Sequence, residues 1–239
     1  MKKIIALLLC LVIVLLFSLY GCSEKDVYVF NPKKYTIVGN PYSSNRFVPE
    51  SIQDLEKLVR FDELGEPITN GAIILCTISG DSINRILEPP ASEREPGVVY
   101  GINHVLTPVK IERVLYSGAD TSLEEGKEYY LREPYFYITE ETPDYYTEYG
   151  KNHIYATDYY PMTKGNTYLV YITQKTQKSY DYLKYQGEIP LIMVSFQEAV
   201  YCLGDISRAK SVCITEDKNY WKLWNEARSL YEDIFASVK

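Results

Sequence analysis

Histidine and cysteine, which build most metal centres and many nucleophilic sites, are scarce in this chain. Of 239 residues, only His104 and His153 are histidine, and five are cysteine. Neither histidine lies in a His-Glu-x-x-His segment or at zinc-ligand spacing from a cysteine. The sequence also lacks a Gly-x-Ser-x-Gly segment, a Gly-rich phosphate loop and an EF-hand pattern. We therefore expect no metal, no cofactor and no catalytic residues of a familiar type.

Positive charge is also in short supply. The chain has 25 Lys and Arg against 32 Asp and Glu, a net charge of −7 at pH 7. Nucleic-acid-binding proteins neutralise phosphates with Lys and Arg, so this balance argues against nucleic acid as a partner. It also argues against a broad electrostatic attraction to anionic lipid.

The chain has one long hydrophobic run, at its N-terminus. Lys2 and Lys3 precede 17 uncharged residues, Ile4 to Tyr20, which are followed by Gly21 and Cys22. A basic start, an apolar core and small residues are the order of a secretory signal. An uncleaved signal anchor is the alternative, because 17 helical residues reach about 25 Å, near the lower limit for a membrane span.

The end of this segment carries the motif Leu19-Tyr20-Gly21-Cys22. It resembles the lipobox of bacterial lipoproteins, in which the cysteine is acylated and becomes the first residue of the mature protein. Tyr20 departs from the pattern, since that position usually holds a small residue. The resemblance implies that 1–21 is a signal peptide and that Cys22 carries a lipid such as palmitate. The domain would then be anchored to a lipid bilayer on the extracytoplasmic face of a cell membrane or envelope, of Gram-positive or Gram-negative type.

Three cysteines remain after Cys10 in the signal and Cys22, and they are Cys76, Cys202 and Cys213. An odd number allows one disulfide at most, and Cys202 with Cys213 is the closer pair. Cys76 lies in an apolar run, where a thiol packs as a small hydrophobic group. We expect buried free thiols, with a bridge between Cys202 and Cys213 as the open alternative.

Two stretches have apolar residues at helical spacing. Ile52, Leu55 and Val59 predict a helix from about Pro49 to Leu64. A stripe at steps of three and four predicts an amphipathic helix from Asp217 to Val238. The stripe comprises Tyr220, Trp224, Ala227, Tyr231, Ile234 and Phe235. We expect it to pack on the β domain, and partner binding is the alternative.

Strand patterns fill the region between these helices. They predict strands at Ala72–Ile78, Val98–Tyr116 and Thr167–Thr173, and a last strand pair at Ile189–Phe196 and Ala199–Leu203. Pro108 predicts an edge strand or a bulge, because proline cannot donate to a ladder. Asp81–Gly97 is predicted to be a solvated connection, and Glu140–His153 an acidic, tyrosine-containing loop.

Three of these segments carry short motifs, in Gly71–Ile78, Thr107–Leu115 and Met162–Val170. Together they resemble a pattern of secreted bacterial lipoproteins whose barrel is similar to netrin modules and tissue inhibitors of metalloproteinases. The resemblance implies a five-stranded OB-like barrel over Gly71 to Leu203. Those inhibitors act through a free N-terminal cysteine amine and several disulfides, so the resemblance implies their fold and not their inhibitory function.

Short strands separated by frequent turns independently favour a small closed barrel, because closure removes exposed edges. We therefore predict a mainly β protein of the α+β class, with a helix before the barrel and one after it. The predicted parts are a signal peptide (1–21), a tether (22–48), a helix packed on the barrel (49–66), an OB-like barrel (67–205) and a C-terminal helical segment (206–239).

Tyrosine is the one residue in excess: 15 of 24 tyrosines fall between Tyr129 and Tyr185. Rigid amphipathic rings suit recognition of carbohydrate or protein, although tyrosines in strands also pack in cores. The candidate ligand-binding residues are Tyr145, Tyr146, Tyr149, Tyr159 and Tyr160.

These observations favour a non-enzymatic, membrane-anchored module that binds an envelope glycan or protein. One alternative is an envelope hydrolase that uses two loop carboxylates, since a glycosidase needs only a pair of acids. Its candidates are Glu124, Glu125, Glu140, Glu141, Asp144 and Asp158. Another is an export or assembly accessory that uses the C-terminal helix.

Overall fold

The computed structural model describes residues 28–39, 48–62, 64–96, 101–156, 159–174, 189–195, 197–213 and 215–238. The predicted signal peptide and Cys22 lie outside the described residues. The elements in chain order are β1 (Thr36–Val38), α1 (Ile52–Arg60), β2 (Gly71–Ile78), β3 (Ile83–Arg85), β4 (His104–Ser117), β5 (Glu128–Glu133), β6 (Tyr135–Tyr137), α2 (Pro143–Tyr149), β7 (His153–Ala156), β8 (Thr167–Gln174), β9 (Leu191–Met193), β10 (Val200–Cys202), α3 (Ile206–Val212), α4 (Lys218–Leu230) and α5 (Glu232–Ser237).

Five strands close into a barrel in the order β2-β4-β5-β9-β8, and β8 pairs back with β2. All pairs are antiparallel except β5 with β9. The predicted mainly β, OB-like closed barrel with flanking helices is therefore confirmed. A separate three-stranded sheet has the order β1-β7-β6.

Alternation along the strands fills the barrel interior. Val105, Thr107, Val109 and Ile111 of β4 point inward and are fully buried, because alternate residues share one face of a strand. The other face of β4 points outward, and Lys110 there is exposed.

Helices cover the outside of β2 and β8. α1 starts at a capping box between Ser51 and Asp54 and buries Ile52, Leu55 and Val59. α4 buries its predicted stripe against the barrel, and Trp224 Nε1 donates to the Cys202 carbonyl at 2.9 Å. The expected packing of the C-terminal stripe on the β domain is confirmed.

Part of the predicted tether is docked on the domain. The Ser82 N–H donates to the Tyr28 carbonyl at 2.8 Å, and the Tyr28 ring stacks on Tyr137 with centroids 4.4 Å apart. Phe30 is buried in the core, and β1 pairs in parallel with β7. The N-terminal segment is therefore attached to the domain from its first described residue, Tyr28.

Several predicted boundaries were wrong. α1 ends at Arg60 rather than Leu64, because Phe61 is extended and forms a bridge with Pro67. The single C-terminal helix is two helices, with a break at Tyr231 where ψ is 40°. The Glu140–His153 loop contains α2, which has proline in its first turn.

Two predictions about strand pairing were also wrong. β9 and β10 do not pair with each other, because both pair with β8, one after the other along the same side. Pro108 is not on an edge: it lies where β4 changes its partner on one side from β3 to β2. Because neither β3 nor β2 is paired with β4 at this residue, the N–H that proline lacks breaks no hydrogen bond between strands.

The predicted solvated connection after Asp81 contains β3 and a short helical turn, Ala91–Glu93.

The cysteine prediction is confirmed. Cys76, Cys202 and Cys213 are free and buried, so Cys202 and Cys213 form no bridge.

Candidate functional site

The predicted tyrosine site divides into two groups. Tyr145, Tyr146 and Tyr149 lie on α2 and are half-buried. The Tyr145 ring packs against Phe136 and Tyr155, with centroid distances of 5.1 and 4.9 Å. This helix therefore holds Tyr145 as part of an aromatic cluster and leaves Tyr146 and Tyr149 as its candidates for binding.

The second group lies before β8 and faces the core. Tyr159 is 5% exposed, and its hydroxyl donates to Glu133 Oε2 at 2.7 Å. Tyr160 is half-buried and contacts the Phe30 ring edge-on at 5.6 Å. The structure therefore does not bring the five tyrosines onto one surface, and Tyr159 has a role inside the barrel.

Glu133 is the centre of a polar network in the barrel interior. Its side chain is fully buried and accepts hydrogen bonds from Thr107 Oγ1, the Tyr159 hydroxyl and the Met162 N–H. Burial raises the pKa of Glu133, although the three hydrogen bonds oppose the shift. The network ties β4 and β5 to the segment before β8, and it is closed to solvent.

The candidate hydrolytic carboxylates lie at opposite ends of β4. Glu125 Oε1 accepts from the Val114 N–H at 3.0 Å near one end. Asp144 accepts from the Ala91 N–H at 2.8 Å, in the connection that leads to His104 at the other end. Ten residues of strand span roughly 30 Å, far more than the separation of two glycosidase carboxyl groups.

The structure describes three further members of that set, Glu124, Glu140 and Glu141. Glu124 pairs with Lys127, and Asp144 also pairs with Arg94 at 3.7 Å. Glu140 and Glu141 are both exposed, in the turn before α2. Asp158 lies outside the described residues.

The outward face of β3, β4 and β5 presents a different set of side chains, which we call the open face. Its residues alternate with those that fill the barrel, and strand register sets their neighbours. They are Ile83 and Arg85 of β3, His104, Leu106, Pro108 and Lys110 of β4, and Glu128, Tyr130 and Arg132 of β5. Of these, His104 and Leu106 are buried, at 3% and 2% exposed.

Arg85, His104 and Arg132 form a cluster on this face, which we call the Arg–His cluster. Arg85 is directly opposite His104, and Arg132 is opposite Leu106, diagonal to His104 on the other side of β4. Directly opposed Cβ atoms are about 5 Å apart and diagonal ones about 7 Å. The two arginines therefore flank the histidine from both sides.

His104 is 3% exposed and neutral. Its Nδ1 lies 2.8 Å from the Ile102 carbonyl, which only accepts, so Nδ1 carries the proton and Nε2 is an acceptor. Burial lowers the pKa of His104 to about 4, and the charges of Arg132 and Arg85 add to the lowering. Nε2 is closed to solvent and has no hydrogen-bond partner among the described residues.

The two arginines have no anionic partner within the part of the chain that the structure describes. Arg85 Nε is closed to solvent. With the described residues it makes no hydrogen bond, and neither guanidinium forms an ion pair with them. Glu88, which follows β3, pairs with Arg94 at 3.1 Å instead. The cluster thus holds unused donors beside an unused acceptor.

Sequence reasoning missed the Arg–His cluster. Its members are separated by 19 and 28 residues, and only strand register brings them together. One signal was present: the inward pattern of Val105, Thr107 and Val109 places His104 on the opposite face.

A cleft with a volume of about 560 Å³ lies between α3, α4 and α5. Its charged lining residues are Asp205, Arg208, Arg228 and Glu232. The two positive and two negative charges leave this cleft without a preference for ligand charge.

In the described residues, no three His, Cys, Asp or Glu side chains converge as a metal site. No helix within those ranges has the length and apolar content to cross a membrane.

Comparison of the chain with protein-family models, curated proteins and solved structures finds no match. Function must therefore be inferred from the side chains themselves.

Proposed function

We propose that this protein is a non-enzymatic binding module of the cell envelope, tethered to the membrane through acylated Cys22. It would hold an envelope glycan or protein partner on the open face of its barrel. The observation that carries the proposal is the Arg–His cluster, where two half-buried arginines flank a buried histidine and have no anionic partner among the described residues.

Burial of unused polar groups is costly, so such groups in a folded protein need an explanation. Arg85 Nε and His104 Nε2 are closed to solvent, so a ligand on this face would contact the accessible parts of the two half-buried arginines. By analogy of fold alone, OB barrels bind oligosaccharides and oligonucleotides on the corresponding outer strands and adjoining loops. The net charge of −7 favours the saccharide over the nucleic acid.

The α2 tyrosines would extend this surface. Asp144 of α2 contacts the connection from β3 to β4, through Ala91 and Arg94. That connection begins directly after Arg85. We expect Tyr146 and Tyr149 to lie near this end of the barrel, where they would add aromatic contact area.

A kinship with netrin modules and metalloproteinase inhibitors is proposed for architecture only. The described cysteines are all free, whereas those inhibitors depend on disulfides. The proposed role for this chain is binding without inhibition.

The membrane tether is tested by labelling cells with an alkyne analogue of palmitate. Wild type and Cys213→Ser, the control, should carry the label and fractionate with membranes, and Cys22→Ser should lose both properties. A labelled, membrane-bound Cys22→Ser protein would refute lipidation at this position.

The binding face is tested by retention of the full-length chain, in detergent, on immobilised envelope polysaccharide. Arg85→Ala/Arg132→Ala should lose retention, whereas Arg113→Ala/Lys164→Ala should keep it. The control pair removes the same charge from exposed positions with no recorded ion pair. Equal retention of both double variants would refute the assignment of the open face. Tyr146→Ala/Tyr149→Ala should weaken retention to a smaller extent.

A further inference from the structure

We propose that the end of the barrel that carries Leu87 and Ile102 lies on the bilayer, with these two side chains inserted between the lipid headgroups. The partner of this surface is the membrane that holds the acyl chains of Cys22. The inference rests on the proposed acylation of Cys22 and adds which end of the domain faces the lipid.

Leu87 and Ile102 form one exposed surface, which we call the apolar patch. Arg85 is opposite His104 in the ladder between β3 and β4. The same register continued by two residues brings Leu87 opposite Ile102. The Leu87 side chain packs on Gly101, where an added Cβ would lie 2.7 Å from Leu87 Cδ1. Leu87 is 40% exposed and Ile102 is 72% exposed, so two apolar side chains are presented together at the end of the open face.

Hydrogen bonds to two buried side chains hold the patch in place. Asn103 is 5% exposed, and its Oδ1 accepts from the N–H groups of Leu87 at 2.8 Å and Glu88 at 2.9 Å. His104 Nδ1 donates to the Ile102 carbonyl at 2.8 Å. The backbone on both sides of the patch is therefore fixed to the barrel.

The antiparallel bridge at Tyr28 directs the lipid anchor to the same end. Tyr28 is bridged to Ser82, and in antiparallel pairing the chain enters Tyr28 from the Ile83 side. This is the direction in which β3 runs towards Leu87. Cys22 precedes Tyr28 by six residues, and Leu87 follows Ser82 by five. An acylated Cys22 can therefore reach the level of the patch.

The opposite end of the barrel carries the most exposed hydrophobic side chain among the described residues. This is Leu64, which is 87% exposed in the turn between α1 and β2. Ala72 of β2 is opposite Ser117. Ser117 is 13 residues along β4 from His104, a strand length of roughly 40 Å. The two apolar sites are thus separated by the length of β4.

Charge favours the patch over Leu64 as the surface that meets lipid. Asp62 and Glu66 flank Leu64 and are exposed, and carboxylates are costly to bring into a bilayer. Glu88, beside the patch, is held in an ion pair at 3.1 Å. Arg85 lies directly behind the patch and is half-buried, and an arginine at headgroup level attracts lipid phosphates.

Insertion of the patch is a weak interaction that a tether makes effective. Burial of the exposed parts of Leu87 and Ile102 favours the docked orientation over a free one by roughly tenfold to a hundredfold. Such a preference is too small to recruit a free domain to a membrane. It is sufficient once the lipid of Cys22 keeps the patch near the surface, because docking is then intramolecular.

The experiment measures the surroundings of a fluorescent label at each end of the barrel. The full-length, acylated chain carries nitrobenzoxadiazole on the cysteine of Ile102→Cys or, as the matched control, of Leu64→Cys, and is inserted into phosphatidylcholine vesicles. The described native thiols are buried, so the label reacts at the introduced position. A second set of vesicles contains lipid with a nitroxide quencher on its acyl chain.

We expect the label at position 102 to emit at shorter wavelength and to be quenched by the nitroxide lipid severalfold more than the label at position 64. Leu87→Ser, added to Ile102→Cys, should reduce this quenching. Leu230→Ser, which removes a leucine of similar exposure in α4, should not. With Cys22→Ser the label at position 102 should emit as in water, because the domain leaves the vesicle.

Equal quenching at the two positions, or none at position 102 in vesicles that carry the protein, would overturn the docked orientation and leave the anchor intact. A shorter-wavelength emission at position 102 that lipid does not quench would indicate a second copy or another protein on the patch, and would overturn it as well. Flotation of Cys22→Ser with vesicles equal to that of wild type would instead refute the anchor, on which the docked orientation rests.

Discussion

Replacement of Glu133 tests how much its hydrogen bonds inside the barrel contribute to the free energy of unfolding. The carboxylate satisfies three donors, from Thr107, Tyr159 and Met162. In Glu133→Ala all three lose this acceptor in a closed interior, and only Thr107 has another within reach, Ser82 Oγ at 3.0 Å. Each buried donor without a partner costs about 1–3 kcal/mol, so we expect a loss of about 3–5 kcal/mol in the free energy of unfolding.

Glu133→Gln should behave differently. The amide oxygen can accept from Tyr159 and Met162, and the amide nitrogen can donate to Thr107. The Thr107 hydroxyl can then donate to Ser82 Oγ, which is 3.0 Å away. The second amide N–H has no acceptor in this set, which costs part of what removal of the buried charge gains. This variant should therefore stay close to wild type at pH 7 and be clearly more stable than Glu133→Ala.

The pH dependence of stability separates the loss of hydrogen bonds from the removal of the buried charge. Burial raises the pKa of Glu133 in the folded state. The raised pKa contributes stability that is fully present below the unfolded pKa, about 4.3, and is lost as pH rises through the folded value. The advantage of Glu133→Gln over wild type should therefore grow with pH above about 4.3, by at most about 1.4 kcal/mol per pH unit.

The assay is urea unfolding between pH 4.5 and 8, with Glu128→Gln on the exposed face of β5 as the control. The control should stay within about 0.5 kcal/mol of wild type. A Glu133→Gln variant as unstable as Glu133→Ala, or a difference from wild type that does not change with pH, would refute the reasoning.

Three further predictions follow from burial and close contacts. In an NMR titration, His104 should protonate with a midpoint near its folded pKa of about 4. The free energy of unfolding should fall as pH falls from about 6.5 towards 4, because the folded state holds His104 neutral. A midpoint near 6.5 would contradict the burial of its ring. Ellman's reagent should reach the buried thiols only after unfolding, because burial raises the pKa of each; rapid native reaction at Cys76, Cys202 or Cys213 would contradict it. Gly71→Ala should cost more than 2 kcal/mol in urea unfolding, since an added Cβ would lie 1.9 Å from the Val59 carbonyl oxygen. Gly165→Ala, with open space and a φ of +86°, should cost about 1 kcal/mol, and equal effects of the two would argue against the contact between α1 and β2.

The fold class was predictable because its signals are local. The apolar run of β2 and the aromatic stripe of α4 each report a buried face within a few residues. Leu64 shows where local spacing misleads: it continues the helical pattern of α1 but is 87% exposed, because the chain turns at Phe61 to bridge Pro67. α2 was missed although Pro143 is a helix-start residue, since the acidic tyrosine-rich composition favoured a loop.

The candidate site was not predictable because it depends on pairing between distant segments. Composition drew attention to the tyrosines, and composition does not distinguish Tyr159 in the interior from Tyr146 on the surface. Arg85, His104 and Arg132 are unremarkable as single residues. They come together only through the register of β3, β4 and β5, which is set when these distant segments pair in the barrel.

The docking of the chain at Tyr28 limits how far the domain can stand from a membrane. A free tether from Cys22 to Val48 would extend about 90 Å, but the six residues from Cys22 to Tyr28 extend about 20 Å at most. With Cys22 acylated as proposed, the barrel would reach only the layer next to the lipid headgroups. Its ligands would then be molecules rooted in, or lying on, that same surface, and distant layers of the envelope would be out of reach.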